Sequence, residues 1–335
     1  MGKDSRFLAG FDLGGTKMMA GVLNDKMEVL SRSKKKTRGK SEEGDTFKRI
    51  ADCIRDACKE ANVDPKDLAG IGVGSPGPLD PVTGVIGETV NLPTDLREFP
   101  LKARLEKEFG CPAEVDNDVN MGTLGEFAFG AAKKGRNVLG VFPGTGIGGG
   151  LIIEGQLFRG SSGAAGEVGH VVMDPAGPRC GCGKRGCLEA YASRLAIVAR
   201  ALVLLLRGEA PALAKEVGLN PGDIKSSALA RAIEGGDKLL EEAIRETAFR
   251  VDTVIGSLIN VISPDTVVLG GGLVEAMPAL YVEEVTAGAK KAALGFLFKD
   301  VRIVTAKLGD DAVMMGAASL IATALAAKEK PKDKS

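Results

Sequence analysis

The sequence predicts an α/β protein made of two domains of similar topology. Three observations carry this expectation. Short apolar runs of strand character alternate with longer stretches that repeat apolar residues at helical spacing. A hairpin unit occurs twice, as DLGGTKMMAGVLND over 12–25 and FPGTGIGGGLIIEG over 142–155, each a Gly/Thr-rich turn, a strand and a polar turn. The chain has 335 residues, enough for one large or two medium domains with real cores. The repeat is weak, but it predicts two related halves facing each other, with a glycine turn on either side of one cleft.

In order, residues 7–12 read as a strand and 14–16 as a turn. Strands follow over 18–24 and 27–33, joined at Asn24-Asp25. Residues 34–40 form a basic stretch that reads as a solvated surface loop. A helix is expected over 41–62, where Phe47, Ile50, Ala51, Ile54, Ala57 and Cys58 share a face. A buried strand follows over 68–74, then a helix over 101–109, a strand over 113–115 and a helix over 121–129. The pattern restarts with strands over 138–142 and 148–153. Helices are expected over 188–206, 227–232 and 239–262. Strands over 266–269 and 301–306 and a helix over 311–327 close the fold. The expected division is 1–117 and 118–310, with the closing helix packing back on the first domain and 328–335 a disordered tail.

Lys+Arg and Asp+Glu are both 44, so no whole-protein basic field exists to bind nucleic acid. The N-terminus lacks an apolar run of signal-peptide length, and Arg6 stands where a myristoylation start needs Ser or Thr. No stretch reads as the roughly 20 apolar residues needed to span a bilayer, and 202–206 is only a short run. The expectation is a cytoplasmic protein without membrane or nucleic-acid partners. Cys53, Cys58 and Cys111 are scattered, whereas Cys180, Cys182 and Cys187 cluster, which in that setting points to metal rather than disulfides.

Four motifs bear chemistry. The first is Asp12-Leu13-Gly14-Gly15-Thr16-Lys17 between two strands. Glycines there let backbone N–H groups approach phosphate oxygens, and Asp12 suits Mg²⁺ held through water; a plain hairpin turn is the competing reading. The second is Gly144-Thr145-Gly146, followed by Gly148 to Gly150. It matches G-x-G-x-x-G, as does the run from Gly72 to Gly77, but a strand follows the former and prolines interrupt the latter, so neither is a dinucleotide fingerprint. The third is Asp116-Asn117-Asp118 between strand and helix, where Asp118 suits a general base and helix capping by Asn117 or Asp118 is the alternative. The fourth and strongest is His170 with Cys180, Cys182 and Cys187. One imidazole and three thiolates complete a tetrahedral zinc set with no open position, so the metal is expected to be structural. Glu167 and Glu189 flank this loop, and paired acceptors suit a polyhydroxylated ligand.

Together these residues resemble the ROK family (repressor, open reading frame, kinase) from Asp12 to about Ala327. The resemblance rests on DLGGTK, GVGSPGP, NDVN, GTGIGGG, GAAGEVGH, CGCGKRGCLEAYAS and VVLGGG in family order and spacing. It implies a two-domain actin-like ATPase (ribonuclease H-like) fold with a cleft between the domains. It implies Asp118 as the base, and Asn91, Asn117, Glu167, His170 and Glu189, with Asp118, as sugar-binding residues. Gly14 to Lys17 and Gly144 to Gly146 match its phosphate loops, and Gly271 and Gly272 its adenosine site. His170 would then serve both zinc and sugar.

The implied activity is transfer of the γ-phosphoryl of ATP, with Mg²⁺, to the 6-hydroxyl of glucose, by a homodimer or homotetramer. N-acetylglucosamine, N-acetylmannosamine, fructose and allose remain alternative substrates. Two alternatives belong to another class. One is a transcriptional regulator, against which the phosphate motif starting at Asp12 is expected to leave no room for a helix-turn-helix. The other is a sugar-sensing regulator without catalysis, against which the intact Asp12, Asp118 and both glycine turns stand. Two departures stand out: no tryptophan follows Asn91, and Pro143 precedes the second glycine turn, removing a backbone donor there.

Overall fold

The computed structural model of the protein describes residues 6–38, 46–88 and 92–329. In chain order the elements begin with β1 (Phe7–Leu13), β2 (Lys17–Leu23), β3 (Val29–Lys36), α1 (Thr46–Glu60) and β4 (Leu68–Ser75). Three short strands follow, β5 (Leu79–Asp80), β6 (Val85–Ile86) and β7 (Phe99–Pro100), then α2 (Leu101–Phe109), β8 (Ala113–Asn117) and α3 (Asp118–Ala128). Next come β9 (Val138–Pro143), β10 (Ile147–Ile153), β11 (Gln156–Leu157), α4 (Leu188–Ala192), α5 (Arg194–Leu206), α6 (Pro211–Val217), α7 (Ser226–Glu234) and α8 (Lys238–Ile262). The chain ends with β12 (Thr266–Leu269), α9 (Gly272–Ala276), α10 (Pro278–Ala292), α11 (Gly295–Phe298), β13 (Arg302–Thr305) and α12 (Ala312–Glu329).

These form two compact units, each with its own sheet. The five-stranded sheets have the orders β3-β2-β1-β4-β8 and β11-β10-β9-β12-β13, and β5-β6-β7 form a small third sheet in the first unit. In each five-stranded sheet, the first three strands are an antiparallel meander, and two parallel strands extend from the meander's first strand. The duplicated hairpin is therefore the visible part of a duplicated sheet.

The first unit comprises Met1–Lys133, Arg159–Ala165 and Asp310–Ser335, so its boundary differs from the expected 117/118 division. The reason is α3, which lies against α12 backbone to backbone. A Cβ at Gly316 would collide with Met121 O, and one at Gly125 with Ala312 O. Gly10 and Gly72 likewise admit α12 directly onto β1 and β4, where a side chain would strike Met314 O and Ala317 O. By length and composition alone α12 qualifies as a membrane-spanning helix, contrary to the sequence reading. Its apolar residues are used inside this unit instead, with Met314, Ala317, Ala318 and Ile321 fully buried.

Local differences have local causes. The basic residues Lys34 to Lys36 belong to β3, where Lys34 and Lys35 pair with Asp310 and Asp56. Of the helix expected over 41–62, Thr46–Glu60 is helical and 41–45 lie outside the described residues. The helix expected over 188–206 is two helices, because Ser193 leaves the helical conformation and caps α5 through Ala196 N at 3.3 Å. Helix α12 continues to Glu329, so 330–335 are the part of the expected tail outside the described residues.

The second unit's core gathers Leu139, Val141, Ile197, Leu240, Ile255, Val267 and Tyr281 around α8 and α10. At the α8–α10 crossing, Asp252 is 2% exposed and its carboxylate fills the space a side chain at Gly288 would need. Burial, reinforced by Glu284 and opposed by Thr253 and Lys291, pushes Asp252 up to about 7. A raised folded-state value means the folded protein retains a proton that the unfolded chain has lost. Its stabilising contribution is complete below pH 4 and declines as pH rises to about 7. Denaturant titrations of the ligand-free protein should show stability falling over that window, with a shallower fall for Asp252→Asn. Asp12, also raised to about 7, accounts for part of the remaining slope.

Candidate active site and metal centre

In an open parallel sheet, loops at the carboxyl ends of the strands are where ligands bind. In the first unit Asp12 pairs in register with Gly74, Gly74 with Asp116, and Ser75 with Asn117, so the chemical motifs share one sheet edge. Asn117 caps α3, its Oδ1 accepting Val119 N at 2.9 Å and Asn120 N at 3.2 Å. The capping alternative is thus realised by Asn117, which leaves its Nδ2 available to a ligand. Asp118 opens the helix, where the dipole favours a carboxylate, and one oxygen accepts Val119 N at 2.9 Å.

Asp12 feels this neighbour. Burial first, and then the Asp118 carboxylate, push Asp12 up to about 7, while Lys17 acts in the opposite direction. Lys17 itself lies 3.2 Å from Asp310, which also binds Lys34 at 2.9 Å. These two lysines hold Asp310 below the usual carboxylate range. The Asp12–Lys17 turn is braced from behind, Thr37 donating its hydroxyl to Gly14 O at 2.5 Å and its N–H to Thr16 O at 2.9 Å. The result is a cationic side chain and N–H-bearing glycines beside two carboxylates, a set suited to a metal-bound polyphosphate. Asn91, one of the expected sugar-binding residues, lies outside the described residues.

In the second unit the turn Gly144-Thr145-Gly146 is held by Arg194, whose N–H donates to Gly144 O at 2.8 Å and whose Nη2 donates to Thr145 Oγ1 at 2.8 Å. Gly271 has φ +80° and approaches Pro143 O so closely that a Cβ would lie 2.7 Å away. Gly271 and Gly272 therefore lie beside the turn rather than apart from it. Arg194 carried no sequence signal, because a lone arginine after a helix cap is ordinary.

His170, Cys180, Cys182 and Cys187 converge so that their ligand atoms all lie within 4.8 Å of one another. Sulfur–sulfur and sulfur–nitrogen approaches are 3.7 Å for Cys182–Cys187 and for Cys180 to His170 Nδ1, the spacing of ligands around a tetrahedral centre rather than a disulfide. Three close thiols cannot ionise together without a cation. Burial pushes Cys180 up to about 12 and raises Cys187, whereas the Lys184 N–H holds Cys182 below the ordinary thiol value. The donor set fits Zn²⁺.

The flanking acids are tied to this cluster. Glu189 Oε1 lies 3.6 Å from Cys180 Sγ, and its Oε2 accepts Ile147 N at 2.9 Å, linking the loop to the strand after the second glycine turn. Glu167 Oε2 lies 3.9 Å from His170 Nε2, so the imidazole presents Nδ1 to the thiols and Nε2 to the acid.

The two five-stranded sheets and these motifs define a class, the two-domain actin-like ATPase fold. The match to known proteins is narrower than the class. Residues 8–324 match the model of the ROK family. The glucokinase of Streptomyces coelicolor is 34% identical over 323 residues, covering 93% of this chain and 96% of the relative. A ROK family glucokinase from Streptomyces griseus, solved in complex with glucose and AMPPNP, superposes with a TM-score of 0.79 at 30% identity, covering 94% of this chain and 98% of that one. The xylose repressor of Caldicellulosiruptor bescii is 29% identical, covering 95% of this chain and 79% of the repressor. The chain belongs to the ROK family.

Proposed function

We propose that this protein is an ATP-dependent hexose kinase that transfers the γ-phosphoryl group of ATP to the 6-hydroxyl of glucose. The observation that carries the proposal is Asp118 at the start of α3, at the carboxyl end of β8 and within electrostatic reach of Asp12 in the glycine turn. Asp118 accepts the proton of the attacking hydroxyl as the new O–P bond forms and the bond to ADP breaks. Gly14, Gly15, Thr16, Lys17, Gly144, Thr145 and Gly146 bind the phosphates, and Gly271 and Gly272 face the adenosine. Asp12 would hold Mg²⁺, which when bound would supply charge neutralisation at the phosphates. Asn91, Asn117, Glu167, His170 and Glu189 bind the sugar hydroxyls. His170, Cys180, Cys182 and Cys187 hold a structural zinc, which supplies rigidity rather than a nucleophile. The cytoplasmic location expected from the sequence and the homo-oligomeric state implied by the family resemblance are part of the same proposal.

A coupled assay over glucose, N-acetylglucosamine, N-acetylmannosamine, fructose and allose tests this, with ATP and polyphosphate as donors. Glucose with ATP should give the highest kcat/KM. A higher value for another sugar replaces glucose and leaves the kinase reading intact. The similarity to a repressor along nearly the whole chain favours one second reading, a sugar sensor. Sugar binding by calorimetry with no turnover of any sugar would establish it.

A further inference from the structure

Asp116 is 1% exposed, yet carries a carboxylate. A charge buried this deeply needs a paired cation and filled hydrogen-bond sites. Both are present. Oδ1 accepts Asn117 N at 2.7 Å and Asn120 Nδ2 at 2.8 Å, and Oδ2 accepts Arg159 Nε at 2.5 Å. The first two bonds shape the turn that presents Asn117 and Asp118. The bond from Asn120 leaves its own Oδ1 buried without a partner, a local penalty retained at this turn.

The third bond comes from elsewhere in the chain. Arg159–Ala165 packs with the first unit, although the residues before and after it pack with the second. This strap is closed on itself by Ala165 N donating to Arg159 O at 3.0 Å. It is also seated on Pro81, where a Cβ at Gly163 would lie 2.8 Å from Pro81 Cδ. Glu167 follows two residues after the strap, and His170 five.

We propose that the Asp116–Arg159 ion pair is a positioning device for the transfer reaction. One carboxylate sets the turn bearing the base, and the same carboxylate anchors the strap that leads into the segment bearing Glu167 and His170. The inference rests on the sugar-kinase reading. Neither residue touches substrate in this account; they act through Asn117, Asp118 and Glu167.

Arg159→Gln alone strands a buried carboxylate and tests folding more than catalysis. The informative variant is Asp116→Asn with Arg159→Gln, a neutral pair that retains hydrogen-bonding groups. Calorimetric glucose affinity, kcat, KM for glucose and Tm are measured for it, for Arg159→Lys and for wild type, with Asp118→Ala as control. The neutral pair should fold with nearly the wild-type Tm while kcat falls at least about tenfold and glucose binds about tenfold more weakly, since a shift of about 1 Å at a reacting group lowers rates up to about 100-fold. Arg159→Lys, which keeps the charge but not the planar guanidinium, should fall between. Wild-type kcat and glucose affinity in a folded neutral pair would overturn the proposal, as would losses that disappear well below each variant's Tm. An active Asp118→Ala would instead refute the base assignment and leave the reading of the pair intact.

Discussion

Asp118→Ala is expected to lower kcat by at least about 10³-fold, within the range attributed to a positioned general base. The substitution should leave the fold in place. Asp118 lies in the first turn of α3, and the cap is supplied by Asn117, so the loss includes a dipole-favoured carboxylate, about 0.3–1 kcal/mol, and its bond from Val119 N. Glucose affinity should change little by comparison, because the other residues proposed to bind the sugar hydroxyls remain. Asp118→Asn separates two roles: it retains an acceptor for Val119 N but cannot take a proton at neutral pH. If Asp118→Asn turned over glucose at near wild-type rate, the hydroxyl would not be deprotonated by this residue. Removing Asp118 also removes a negative neighbour of Asp12, so the Asp12 carboxyl should titrate lower in Asp118→Ala. That shift is measurable by NMR without any turnover.

What the sequence revealed, and what it did not, follows the range of the interactions involved. Helix α2 and strand β12 match the expected ranges, because each is a short periodic segment bounded by breakers. The convergence of His170 with Cys180, Cys182 and Cys187 was equally legible, since three of the four residues lie within eight positions. Helix α10 was missed despite usable signals: Pro278 at its first position, and Tyr281, Val285, Gly288 and Ala289 on one face. Its small residues weaken the apolar stripe, and they are small because α8 lies close, with Gly256 and Gly288 at the crossing. The break at Ser193 was also visible as an N-cap residue, and was hidden by the apolar run after it. The assignment of α3 and the strap at Arg159 to the first unit was not legible at all. Both depend on backbone approaches and ion pairs across long sequence separations, which leave no periodic trace in one sequence. The same holds for Asp310, whose contact with Lys17 spans 293 positions.

The second large effect concerns the metal loop, where stability and sugar binding should fail together. Purified protein should contain about one zinc per chain, as a four-ligand tetrahedral set requires. Cys182→Ala removes the most exposed ligand, so its direct packing loss is small and the effect reports on the metal. Zinc content should fall and Tm should drop by several degrees, because metal binding contributes folding free energy. The consequence for binding follows from Glu189 and His170. Glu189 spans the cluster and Ile147 N, and His170 presents Nδ1 to the thiols and Nε2 to Glu167. Without the metal His170 loses its anchor at Nδ1 and Glu189 keeps only its bond from Ile147 N, and glucose should bind about 10- to 100-fold more weakly, the scale on which groups supporting a metal site act. Cys111→Ala is the control: that thiol is buried in the first unit's core and is not one of the four clustered residues, so zinc content and glucose affinity should stay at wild-type values. A zinc-free wild-type protein, prepared by chelation and shown to be folded, that retained full glucose affinity would remove the metal from the account of sugar binding. The same protein with full glucose affinity but lowered Tm would confine the metal to holding the loop.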